Sequence, residues 1–142
     1  MRFSNTLSID RPVADVFNYL AKFENLPAWN YAISETRSIT DGPVGVGSRY
    51  RQFRTIPKRS EETFEVIEFE PDHRLAIRGT FGPFPAESVY LLEPVGAAAQ
   101  LTNTMDLRAK GPVSLIAPVA TRQIKSAVAA NLQKLKQILE GA

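Results

Sequence analysis

Four polar residues interrupt runs that are otherwise apolar on one face: Asn5, Glu35, Asn103 and Asn131. A buried polar group left without its hydrogen bond costs roughly 1–3 kcal/mol, so each needs a partner. Two readings stay open. Either these groups pair with one another, with water or with backbone, or Asn103 and Asn131 line a wet cavity and meet the polar end of a ligand. Tyr31, Tyr50 and Tyr90 carry apolar rings with polar tips and suit such a pocket as well as they suit a core. Acid–base chemistry would need a positioned pair inside the pocket, and Glu35, Arg37 and the tyrosines are the candidates.

Other chemistries lack their residues. There is no cysteine, which removes disulfides, iron–sulfur clusters and thiolate zinc sites. The one histidine, His73, stands in the turn "EPDHR", so neither a transition-metal centre nor a Ser–His–Asp triad is expected. The glycines of "GPVGVG" lead into the alternating "SRYRQF" rather than into a helix, as a dinucleotide fingerprint must; they read as a hairpin turn. No metal and no cofactor are expected.

The elements that must carry these residues are legible from period and punctuation. Alternation from Phe3 to Ile9 is a half-buried strand, and "DRPVADVFNYLAK" starts a helix with Asp10 near its cap and Pro12 in its first turn. A short helix or turn covers Phe23 to Ala28, with Pro27 near its start or breaking it. Six strands follow: Tyr31–Ile39, Ser48–Thr55, Glu61–Phe69, Arg74–Thr80, Glu87–Leu92 and Gln100–Arg108. In the first, Tyr31, Ile33, Glu35 and Ile39 share one parity; in the third, the parity slips between Phe64/Val66 and Ile67/Phe69, which marks a bulge or two-sided burial. Short links make them an antiparallel meander. One long helix then runs from "KGP" to about Glu140, closed by Gly141. Its apolar stripe runs from Val113 and Ile116 through Ile124 and Val128 to Leu135 and Ile138, with Asn131 in the middle. The centre of the stripe is narrow and rich in alanine, which leaves room in front of it. Trp29, the only tryptophan, follows Pro27 where the chain returns to the sheet and can close one wall of that room.

Layer logic lays the long helix across the sheet's apolar face in a single α+β domain over 1–142. Alternate loops of a meander share an edge, so "IPKRS", "FGPFPA" and "RAKGP" meet. They bring Ile56, Phe81 and Phe84 together with Arg54, Lys58, Arg59, Arg108 and Lys110. This reads either as a cavity mouth able to touch an amphipathic ligand or, transiently, an anionic membrane surface, or as a plug with a solvated rim. Net charge is +2, which supplies no concentrated basic face for nucleic acid. No apolar signal core or ~20-residue apolar span is present, which makes a cytoplasmic location the default expectation. Monomer and homodimer are both compatible with the sequence.

The segments "SIDRPVADVFNYLAKFENLPAWN", "GVGSRY", "FEVIEFEPDHRL", "VYLLEPVGAAAQLT" and "NLQKLKQILE" resemble the polyketide cyclase/dehydrase and lipid-transport family. That family belongs to the START-like, birch-pollen-allergen-like (SRPBCC) superfamily. The resemblance covers nearly the whole chain and implies a helix-grip fold: a curved seven-stranded antiparallel sheet around a long C-terminal helix, with two short helices after the first strand and an internal cavity. It implies ligands such as polyketides, sterols, lipids, quinones or aromatic hormones; some members cyclise or hydrolyse them. Pro27 and Trp29 match the family's Pro-x-Trp, whose ring commonly lies against the cavity. Asn131 falls where some aromatic-ring cyclases present a helix asparagine to the pocket.

The expectation is a carrier or sensor that binds a hydrophobic or aromatic small molecule. Contacts are expected from Trp29, Tyr31 and Tyr50, from Phe64, Phe81 and Phe84, and from Tyr90, Asn103 and Asn131. The alternative is a cyclase, dehydratase or hydrolase working in the same cavity. A third class is a protein-interaction module acting through the outer sheet face.

Overall fold

The computed structural model describes residues 1–81, 84–108 and 117–141. Strand β1 (Arg2–Ile9) leads to helix α1 (Val13–Ala21), a single 3-10 turn (Phe23–Asn25) and the short helix α2 (Leu26–Trp29). Strands β2 (Ile33–Ser38), β3 (Arg49–Arg54), β4 (Ser60–Glu70), β5 (Arg74–Phe81), β6 (Phe84–Val95) and β7 (Ala98–Leu107) follow, and helix α3 (Ala117–Gly141) ends the chain. The sheet order is β1-β7-β6-β5-β4-β3-β2, with every pair antiparallel. This is the expected helix-grip architecture. The expected helix start at 110–112, with Val113 and Ile116, lies outside the described residues, as do Lys110 and residues 82–83.

Several boundaries move for physical reasons. Pro12, not Asp10, takes the N-cap of α1, and its carbonyl accepts the first helical bonds from Asp15 and Val16. The backbone N–H of Asp10 instead donates to Glu140 at 2.7 Å, which ties the end of β1 to the end of α3. The expected loop at 81–86 is only a two-residue link, because β5 and β6 stay paired to Phe81↔Phe84. Likewise β6 and β7 stay paired to Val95↔Ala98, with Gly96 turning at positive φ. The slip read in β4 is a bulge, where the register shifts between Val66 and Glu68.

A second bulge lies in β2, between Ile33 and Glu35. It reverses the parity expected there. Ile33 and Thr36 point inward, while Glu35 and Arg37 turn out and pair with each other at 2.5 Å. The outer face is polar, with Ser4 against Thr104, Thr6 against Thr102 and Arg51 against Glu61.

The packed core lies at one end of the grip. There Leu132, Leu135 and Leu139 of α3 meet Ile9, Leu92 and Leu101 of the sheet, and Val16, Phe17 and Leu20 of α1 close the end. An aromatic cluster continues it: Phe17 sits edge-on to Phe69 at 5.3 Å, Phe23 packs on Phe64 at 5.2 Å, and Tyr50 stacks on Phe64 at 5.1 Å.

Candidate functional site: a cavity under the middle of the long helix

Near its middle, α3 carries Ala127, Val128 and Asn131 where its last turns carry leucines, and these residues bound a cavity of about 120 Å³. The sheet supplies the opposite wall. Inward positions of β5 contribute Ile77, Gly79 and Phe81, those of β6 contribute Ala86, Ser88 and Tyr90, and β7 adds Asn103 and Met105. Gly79 is needed for space: a Cβ there would lie 2.5 Å from the Thr63 carbonyl oxygen and 2.8 Å from the Phe64 Cβ. Ala127 is exposed although it lines the cavity, so the space reaches solvent past this residue.

Trp29 is placed by local chain chemistry. Pro27 opens α2 with its φ already set for a helix, and Asn30 leaves the helix in an extended conformation after its N–H caps Leu26. The indole is thereby buried as a side wall, edge-on to Tyr90 with 6.4 Å between ring centroids. Burial pushes the Tyr90 phenol above its usual value, and the hydrogen bond with Ser88 offsets part of that rise.

Both asparagines combine the two roles left open by the sequence. Asn103 Nδ2 donates to Ser88 Oγ at 2.9 Å and to the Val89 carbonyl at 3.2 Å. Asn131 Oδ1 accepts the Tyr31 N–H at 3.2 Å and so clamps the α2–β2 connection onto α3. Each makes hydrogen bonds within the protein, and each lines the cavity. Asn5 ties β1 to α3 through the Lys125 carbonyl at 3.4 Å.

Of the nine residues expected to contact a ligand, the fold brings Trp29, Phe64, Phe81, Tyr90, Asn103 and Asn131 to this cavity. Tyr31 does not reach it: the residue precedes the β2 bulge and is 65% exposed. Tyr50 is buried behind Phe64 and faces a wider depression of about 400 Å³ beside α1, whose rim at Lys22, Glu24 and Gly42 is exposed. Burial, then the nearby Glu24 carboxylate, raises the Tyr50 phenol above its usual range. Phe84 is partly buried opposite Phe81 and stays outside the lining. His73 sits half-exposed in the β4–β5 turn, away from the cavity. Among the described residues no three His, Cys, Asp or Glu side chains gather as metal ligands.

The sequence reading missed the most polar part of the wall. Arg54, expected at an exposed rim, is turned inward with its side chain only 4% exposed, and it lines the cavity. Its Nε donates to Glu62 Oε2 at 2.8 Å, while Gln52 Nε2 donates to Glu62 Oε1 at 2.8 Å. The Arg54 guanidinium carbon lies 4.2 Å from the centre of the Phe81 ring. The signal is the period of two: Tyr50, Gln52 and Arg54 share one face of β3, so an inward Tyr50 carries Arg54 in with it.

The family model for polyketide cyclase/dehydrase and lipid transport matches residues 1–140. A comparison with curated protein sequences returns no match. Among solved structures, a protein from Thermus thermophilus superposes with TM-score 0.81 at 16% identity, covering 98% of this chain and 97% of that one. The Zhui aromatase/cyclase from Streptomyces sp. R1128 gives TM-score 0.81 at 14% identity, covering 99% and 93%. The di-domain ARO/CYC BexL of the BE-7585A biosynthetic pathway gives TM-score 0.76 at 19% identity, with 96% of this chain matching 45% of that one. The similarity in fold extends over the whole seven-stranded sheet and its helices. The chain belongs to the polyketide cyclase/dehydrase and lipid-transport family.

Proposed function

We propose that the chain binds a small aromatic molecule in the cavity beside Trp29 and acts as a carrier or sensor. The observation that carries this reading is the make-up of the wall: aromatic and aliphatic faces from Trp29, Phe64, Ile77 and Phe81, with a few convergent polar groups at Gln52, Arg54 and Ser88. Ligand pockets have this composition. Size narrows the class. A dry cavity of roughly 150 Å³ accommodates one benzene ring, so about 120 Å³ limits the ligand to about one ring, with any substituent directed to the opening at Ala127, and disfavours a fused polycycle. The enzymatic reading is weakened, because Glu35 and Arg37 face away from the cavity and engage each other, which leaves Tyr90 as the one of its expected acid–base candidates on the described wall.

Native mass spectrometry of freshly purified protein, with extraction, tests the reading together with Trp29 emission titrated with acetophenone. A single-ring ligand carried through purification, or saturable quenching of Trp29, is the expected result. Empty protein whose Trp29 emission answers no hydrophobic probe overturns it.

A further inference from the structure

Arg54 lines the cavity and is paired with Glu62, a carboxylate held behind the lining, and that pairing has a selective consequence for a ligand. Arg54 and Glu62 are both almost fully buried, with side chains 4% and 2% exposed, and Gln52 holds the second carboxylate oxygen. The arrangement follows from register. Gln52 is directly opposite Glu62 and Arg54 directly opposite Ser60, so Arg54 meets Glu62 on the diagonal of one inward face. A buried guanidinium without a counter-charge would be very costly, and Glu62 removes most of that cost. The bond to Glu62 Oε2 uses Nε of Arg54. A guanidinium carries five N–H donors, so its terminal amino groups can still donate to cavity contents.

We propose that the Arg54–Glu62 pair selects for an uncharged oxygen acceptor on the ring ligand, a ketone or aldehyde, and that Glu62 is the residue that turns away a carboxylate of the same shape. This rests on the reading of the cavity as a ligand site. The argument is electrostatic. A carbonyl oxygen beside Arg54 gains a charge-assisted hydrogen bond and adds no charge. A carboxylate there would place a second negative charge close to Glu62 in a medium of low dielectric, where like charges repel strongly. An unpaired arginine would favour the anion; the paired one does not, which is discrimination by repulsion.

The test uses two probes of nearly equal shape, acetophenone and benzoate, at a pH of about 7, where the benzoate carboxyl is ionised. Affinities are read by calorimetry and Trp29 emission on the wild type, on Glu62→Gln and on the double variant Arg54→Met/Glu62→Met. The wild type is expected to bind acetophenone and not benzoate. Glu62→Gln should raise benzoate affinity at least about tenfold while acetophenone changes by less than about threefold. The double variant, in which an apolar pair replaces the ion pair, should fold and lose about tenfold in acetophenone affinity, the scale of one hydrogen bond to a charged donor. Benzoate binding by the wild type as tight as that of acetophenone overturns the selectivity. So does an unchanged acetophenone affinity in the double variant, a result that needs no folded Glu62→Gln. Failure of every probe with every protein instead overturns the ligand site itself, and this inference with it.

Discussion

Two parts of helix α3 face the same sheet and do opposite things with it. The C-terminal part presents Leu135 and Leu139 to the core of Ile9, Leu92 and Leu101, with Leu132 at the border, and the contact is closed. The part before it, up to Asn131, presents Ala127, Val128 and Asn131 to Ser88, Asn103 and Arg54, and a cavity remains. Side-chain volume on one helix face therefore sets which half of the grip is solid. The sheet is matched to this difference: its inward residues are apolar at the closed end, whereas at the open one apolar faces alternate with the polar groups of Gln52, Arg54, Ser88 and Asn103. A hollow interior with several polar groups on its wall can be hydrated and can exchange its contents, whereas a dry hole costs contacts with no return.

Truncation should separate the halves most sharply. Leu135→Ala removes a side chain with no exposed surface from the closed half, and a loss of about 2–5 kcal/mol is expected. Val128→Ala, one cavity wall further along the same helix, should cost under about 1.5 kcal/mol, because that side chain is only partly buried. Urea denaturation with matched m-values measures both. Equal losses at the two positions would mean that the halves do not differ in packing.

Enlargement gives the second contrast, with a smaller effect. Ala99 is fully buried in the closed half, so Ala99→Leu must overpack it and should cost about 1–3 kcal/mol. Ala86 borders the cavity, so Ala86→Leu should fill open space and change stability by less than about 1 kcal/mol. The same substitution should abolish the Trp29 response to acetophenone. Thermal unfolding and the fluorescence titration together read both outcomes. Retained binding by Ala86→Leu would place the ligand elsewhere.

How much of this contrast the sequence revealed depends on the residue. The alanine-rich stripe of α3 announced the space, and the two-residue period put Phe64, Tyr90 and Asn103 on its wall. The parity slip in β4 announced its bulge, because Phe64/Val66 and Ile67/Phe69 are inconsistent with one unbroken face. The β2 bulge left no such mark. Glu35 and Arg37 fall on the parity of Tyr31, Ile33 and Ile39, and only the register against β3 shows that Ser34 breaks the alternation. Pro85 and Pro94 read as turn residues, yet both lie near strand ends, where a missing N–H is tolerated, so β6 is longer than expected. Arg54 is hard to place from sequence because arginine is seldom fully buried unless it is paired. Its partner, Glu62, becomes its neighbour only through the β3–β4 register.

Tyr90 stands on the border between the halves, against Trp29 on one side and near Ser88 on the other, and it offers the smallest test. Tyr90→Phe keeps the ring and removes the hydroxyl, so near neutral pH it should cost no more than the roughly 0.5–1.5 kcal/mol of one hydrogen bond. The pH dependence is more telling. Burial raises the folded-state value above the usual 10.0, so the folded chain keeps the phenol proton at a pH where the unfolded chain releases it. Where the unfolded state binds fewer protons, stability falls as pH rises, and the window begins near 10 and extends to the raised folded value. Tyr90→Phe should remove that share of the alkaline loss and leave a flatter limb above this point. Denaturant midpoints measured across the window check it. Parallel limbs for the two proteins would mean that the hydroxyl is hydrated from the cavity as freely as in the unfolded chain, and that the open half reaches further than Tyr90.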